Sequence, residues 1–157
     1  MKLSQSLVVE APAAFCFECL ARIEDAPKHM SILKSLRMLT PGGPKVGARW
    51  RETVEVFGRR INLEATMVEM DPPRGYRFET NHRGVRMSMG FELTPKGDRQ
   101  TLVDLKLEGV GSTLVGKLAL ASATPFLGRV RATAAQELNG LKLAIENEYR
   151  SVSQLQG

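Results

Sequence analysis

Cysteine, histidine and tryptophan are nearly absent from this chain, which holds two, two and one of them among its 157 residues. Two cysteines make no disulfide framework of the kind that staples small secreted folds. Cys16-Phe17-Glu18-Cys19 spells C-x-x-C, but both thiols lie about a turn inside a predicted helix and share its apolar face with Phe15 and Ile23. That is core packing; redox use needs the first cysteine at a helix amino terminus. Zinc would need two more ligands, and the only histidines, His29 and His82, lie far apart in the sequence. No metal and no cofactor is therefore called for. Neither histidine sits in a nucleophile elbow, and His82 within Asn81-His82-Arg83-Gly84 reads as a solvent-exposed turn residue.

Long apolar runs are missing too. The best stretch, Leu118 to Leu127, is broken by Ser122, Thr124 and Pro125, well short of the ~20 residues a membrane helix needs. Near the amino end, Glu10 and Pro12 interrupt Leu7 to Val9 before a secretory core could form. The expectation is a cytoplasmic protein. Internal repeats and low-complexity linkers are absent, so residues 1–157 are expected to form a single domain. Gly111 to Lys117 nearly spells a phosphate-binding loop, but Leu118 stands where the magnesium-holding Ser or Thr belongs, and no βαβ pattern supports it.

What is present is a chain 43% apolar and 25% charged, the profile of a soluble globular fold. Its formal charge is +5, which raises the question of nucleic acid. The arginines between Arg49 and Arg86, however, are interleaved with Glu52, Glu55, Glu64, Glu69, Asp71 and Glu79. That pattern fits ion pairs across facing strands rather than a stripe tracking phosphates. Nucleic acid is set aside; peripheral contact with an anionic surface stays open.

Leu3 to Glu10 has the pattern of a strand, and Ala11-Pro12 opens a helix with Pro in the tolerated first turn. A second short helix is expected over Asp25 to Ser31, and Leu33 to Leu39 is extended. From Gly47 to Glu108 the apolar period is near two, punctuated by turns at Phe57-Gly58-Arg59, Asp71 to Gly75, Asn81 to Gly84 and Pro95 to Asp98. That spacing predicts consecutive antiparallel strands with one buried face. The parity falters at Val68 and Met70, where a bulge is expected. Helical period runs from Ser112 to about Arg150, with Leu114, Leu118 and Ala121 on one face before Pro125 and a rotated face after it (Leu127, Ala134, Leu138, Leu141, Ile145). A kink near Thr124-Pro125 follows.

Ala11-Pro12-Ala13-Ala14-Phe15, Gly47 to Glu52, Glu69 to Phe78, Phe91-Glu92-Leu93-Thr94-Pro95 and the long final helix, taken in order, resemble the START-like helix-grip superfamily (SRPBCC) in its polyketide cyclase/dehydrase branch. Many relatives carry a tryptophan just after the second short helix; this chain has Lys28-His29-Met30-Ser31. The resemblance implies an α+β fold: a curved antiparallel β-sheet wrapped around a long C-terminal helix, with two short helices after the first strand. It also implies a deep pocket between sheet and helix for lipids, polyketides or isoprenoid-like molecules. Carriers, sensors and a few cyclases or dehydratases share that fold, so the fold alone does not decide function.

Inward parity nominates Trp50, Val54, Met67, Tyr76, Phe78, Met87, Met89 and Phe91 as ligand-binding walls, with Leu114 and Leu118 on the covering helix. Methionines offer a reshapeable surface and aromatic rings flat ones. Glu52 shares that parity, and a lone carboxylate there tends toward a raised pKa. It is the one candidate acid/base, with Tyr76 as its partner, or else an anchor for a ligand hydroxyl. Three functions are carried forward. The first is non-covalent binding of an apolar or amphipathic small molecule, the second a cyclase or dehydratase using Glu52, and the third a module docking on protein or anionic lipid.

Overall fold

Alternating side-chain parity and closely spaced turns organise the middle of the chain, and the computed structural model, which describes residues 1–156, shows how. Among the described residues there are seven strands: β1 (Lys2–Val9), β2 (Leu33–Met38), β3 (Arg49–Val56), β4 (Arg59–Asp71), β5 (Gly75–His82), β6 (Val85–Gly97) and β7 (Gln100–Gly111). They form one antiparallel sheet in the order β1-β7-β6-β5-β4-β3-β2. Neighbours in sequence are neighbours in the sheet from β2 to β7, and β1 closes the edge against β7.

Two hairpins use two-residue turns with positive φ at both positions: Phe57 (50°) with Gly58 (76°), and Arg83 (48°) with Gly84 (76°). Such turns match the right-handed twist of the strands they join. The expected bulge is present, as the β4–β5 register slips between Met67 and Glu69.

Pro12 caps α1 (Ala13–Ala21), which buries Cys16, Phe17, Leu20 and Ala21. Burial pushes the Cys16 thiol up, and Cys19, lodged between Arg22 and Glu148, is pushed up to about 11, mainly by desolvation. Both are thiols at neutral pH. The second short helix is a 3-10 segment, Ile23–Lys28, starting two residues earlier than expected.

The carboxy-terminal helical region breaks at Pro125 as predicted, into α2 (Leu114–Ala123), a 3-10 turn (Thr124–Phe126) and the 30-residue α3 (Leu127–Gln156). The sheet curls around α3, which drives Leu138, Leu141 and Ile145 into the core beside Val9, Phe17 and Leu20. Two buried carboxylates fasten it. Glu146 accepts the Glu10 amide (2.7 Å) and Lys142 Nζ (2.6 Å), while Lys142 also donates to the Val8 carbonyl. Burial pushes Glu146 up, but these donors outweigh it and hold the carboxyl below its ordinary value. Glu137 accepts from the Ser31 amide (2.9 Å), the Ser31 hydroxyl (2.5 Å) and the Ile32 amide (3.2 Å).

One expectation is reversed. The stripe of Leu114, Leu118 and Ala121 on α2 faces solvent. The docked face carries Gly116, Leu120 and Ala123, with Ala119 at its edge. A Cβ on Gly116 would fall 1.9 Å from the Gly84 carbonyl oxygen, so only glycine permits this approach. Thr113 caps the helix by accepting the Gly116 amide at 3.0 Å.

Candidate functional site

Between the concave face of the sheet and the segments that cover it lies a cavity of about 500 Å³, within the roughly 300–1,000 Å³ range of small-molecule sites. Its sheet wall comes from the parity set. Trp50, Glu52 and Val54 project from β3; Ile61 and Leu63 from β4; Tyr76, Phe78 and Thr80 from β5; and Met87, Met89 and Phe91 from β6. Leu33 and Leu36 of the edge strand β2 extend that wall, and Ile23, Ala26, Met30 and Ile32 cover it; among the described residues none of α3 lines the cavity, so it does not lie directly between sheet and final helix as expected. The covering segment carries no periodic signal, and the Glu137 hydrogen bonds to Ser31 and Ile32 hold it against α3. Met30, in the stretch where many relatives have tryptophan, thus becomes part of the lining.

Glu52 is the sole carboxylate in the wall, and it is buried. Its Oε2 accepts from Trp50 Nε1 at 3.0 Å, its one side-chain hydrogen bond among the described residues. Desolvation pushes its carboxyl above the usual value, and the Trp50 bond only partly opposes this. Tyr76 is differently placed. Its ring lines the cavity, but its hydroxyl donates to the Leu20 carbonyl at 2.9 Å. Burial, with the Glu52 charge nearby, pushes that hydroxyl up, so Tyr76 is a wall and an anchor for α1.

The remaining nominated residues separate. Trp50, Val54, Phe78, Met87, Met89 and Phe91 line the cavity alongside Glu52 and Tyr76. Met67 does not; it is fully buried past Trp50, where the two line a smaller hollow of about 300 Å³ with Arg22, Met38 and Pro44. Leu114 and Leu118 point outward, and the α2 residue at the cavity is Ala119.

His82 corrects the sequence reading. It ends β5, is half-buried, and lines the cavity beside Arg83. Of the lining residues only Arg83 and Ala119 are exposed, which places the opening beneath α2 and the β5–β6 hairpin. Thr80, His82 and the wall residues Val85 and Leu107 follow strand parity; Ala119 had no comparable signal. Among the described residues no helix is long and apolar enough to cross a membrane.

This architecture has many counterparts. TTHA0849 from Thermus thermophilus superposes with a TM-score of 0.73 at 17% identity, over 92% of this chain and 97% of that one. The Zhui aromatase/cyclase from Streptomyces sp. R1128 gives the same score and identity, over 93% of each chain. A START superfamily protein from Mycobacterium smegmatis follows at 0.68 and 17% identity, over 96% of this chain and 98% of that one. At such identities these similarities establish the fold. A search of curated proteins finds no match. The family model described as polyketide cyclase/dehydrase and lipid transport matches residues 1–146, and the chain belongs to that family.

Proposed function

We propose that the protein captures an apolar or amphipathic small molecule, of lipid, polyketide or isoprenoid character, and holds it without transforming it. The observation that carries this is the composition of the wall. A cavity of about 500 Å³ is lined mostly by aliphatic, aromatic and methionine side chains, with Thr80, His82 and Arg83 as its other polar groups and one carboxylate, Glu52. Burying a guest's apolar surface there is worth about 25 cal/mol per Å². A neutral Glu52 would donate to a hydroxyl or carbonyl at the guest's polar end.

The second reading, a cyclase or dehydratase, rests on the raised carboxyl of Glu52, which suits a general acid. Such chemistry also wants a complementary base; the Tyr76 hydroxyl is committed to Leu20, which leaves His82 as the group in the wall that a cyclase would use. Binding without turnover is preferred because aliphatic, aromatic and methionine side chains make up most of the wall.

Native mass spectrometry of the purified protein, with an apolar fluorescent probe such as anilinonaphthalene sulfonate, tests the proposal. The wild type should carry or take up an apolar guest and enhance the probe. Leu63→Trp, which fills the cavity from β4, should weaken probe affinity about tenfold or more while keeping a cooperative melt. A protein that carries no guest and leaves the probe dark refutes binding. Turnover of a bound polyketide that disappears in Glu52→Gln establishes the enzyme instead.

A further inference from the structure

α2 turns the wrong face outward for a helix that serves only to cover a core. Leu114, Val115 and Leu118 are 75%, 69% and 63% exposed. The patch continues past Pro125 to Phe126 (45%) and onto the β3–β4 hairpin, where Phe57 (47%) packs its ring 5.8 Å from that of Phe126. Contiguous exposed apolar surface of this kind marks an interaction site.

The charges around it share one sign. From Val110 to Gln136 the sequence has no acidic residue but carries Lys117, Arg129 and Arg131. Arg129 lies over the Phe57 ring at 4.6 Å, Arg59 follows that hairpin turn, and Arg83 caps the neighbouring hairpin. Elsewhere in the sheet several arginines are matched to carboxylates, as in Arg49–Glu64, Arg77–Glu69 and Arg74–Asp71, while among the described residues Arg37, Arg51 and Arg86 on its strands are not. Among the described residues Arg59, Arg83, Lys117 and Arg129 enter no ion pair. Of the nearby acids, Glu55 is held by Arg60, and Glu108 lies on the outer sheet face across from Lys2.

From this we infer that α2, the Phe126 turn and the Phe57 hairpin form a docking surface for an anionic lipid bilayer. Apolar side chains flanked by long cations are what an interfacial segment presents to headgroups, the apolar part sinking while the cations reach the phosphates. An acidic protein would satisfy the charges equally well. The bilayer is chosen because the cavity opens at this same end, between Ala119 and Arg83, so a water-insoluble guest would pass between membrane and cavity with little exposure to water. That choice of occupant rests on the proposed function; the patch itself does not.

Co-sedimentation of the whole protein with vesicles of phosphatidylcholine, alone or mixed with phosphatidylglycerol, tests the surface. The wild type should bind the mixed vesicles, ignore the neutral ones and be released by salt. Leu114→Ser with Leu118→Ser, both at exposed positions, should lower partition about tenfold with unchanged melting and probe binding. Lys117→Gln with Arg129→Gln should cost about fivefold for each charge removed.

Failure to bind mixed vesicles, equal binding to neutral ones, or indifference to the serine substitutions would overturn the assignment. So would capture by an acidic polypeptide in place of vesicles. Leu63→Trp separates the two proposals: vesicle binding that persists while probe binding is lost leaves docking intact, and a protein that binds probe but no vesicles keeps the cavity and loses the membrane.

Discussion

Gly116→Ala reads out where α2 sits, because two effects of opposite sign compete at that position. In a helix free of neighbours the substitution is stabilising, by up to about 1 kcal/mol, since alanine is the better helix former. Here the added Cβ would lie 1.9 Å from the Gly84 oxygen, 2.5 Å from its carbonyl carbon and 3.2 Å from its Cα. All three are backbone atoms of a tight hairpin and have no rotamer through which to retreat. The helix itself would have to back away by about 1.5 Å to restore ordinary contact. Overpacking of that sort costs about 1–3 kcal/mol. The net expectation is a loss of about 1–2 kcal/mol, or about 3–6 °C in melting temperature for a chain of this size.

Gly128→Ala is the matched control. A Cβ there meets nothing within 4 Å, so it should melt at or slightly above the wild-type temperature. Circular-dichroism melts of the three proteins at neutral pH give the answer. If Gly116→Ala rises along with Gly128→Ala, α2 does not rest on the β5–β6 hairpin, and the placement of the cavity opening fails with it.

Two further substitutions address the carboxylates. The Glu52 carboxyl is raised in the fold, so the native state holds its proton to higher pH than the unfolded chain does, and stability falls as pH climbs from the unfolded value through the folded one. Glu52→Gln should therefore gain on the wild type above that window, by about 1.4 kcal/mol for every tenfold by which folding weakens the acid, and the gain should vanish toward the ordinary carboxylate pKa. Parallel pH–stability curves for the two proteins would contradict this. Glu137→Ala removes the acceptor for the Ser31 and Ile32 amides and should cost about 2–4 kcal/mol. Hydrogen exchange should quicken at those two amides, and unchanged protection there would show that Glu137 does not hold the Met30–Leu33 wall.

Most of the architecture was legible because strand parity is a rule about geometry. Residues two apart share a face whatever the tertiary context, so Trp50, Val54, Phe78, Met87, Met89 and Phe91 could be assigned to the concave side before any packing was known. The bulge at Val68 and the break at Pro125 were legible for the same reason: each disturbs a period. Parity says which face a residue takes, however, and nothing about where along that face the hollow lies. Met67 obeys the rule and still sits past Trp50, outside the main cavity. The Ile23–Ile32 wall was hidden because a 3-10 segment and a loop have no period to read, and its attachment depends on Glu137, more than a hundred residues away. His82 looked like a turn residue because its neighbours are turn formers; the two-residue turn is tight enough to leave it on the strand.

The reversed orientation of α2 and the existence of an open cavity are one structural fact. Successive helical residues are about 100° apart around the axis, so turning α2 by a single position would bring Leu118 to the place of Ala119. A leucine there would put an isobutyl group over the opening that Ala119 leaves clear. The hydrophobic stripe alone favours that rotation, since it would move a 63%-exposed leucine to the edge of an apolar cavity. Two features oppose it: the fit of Gly116 against the Gly84 backbone and the Thr113 cap on the Gly116 amide. The apolar surface left outside is thus the counterpart of the space left inside. A second function for that surface follows more naturally than its survival as an uncorrected cost to stability.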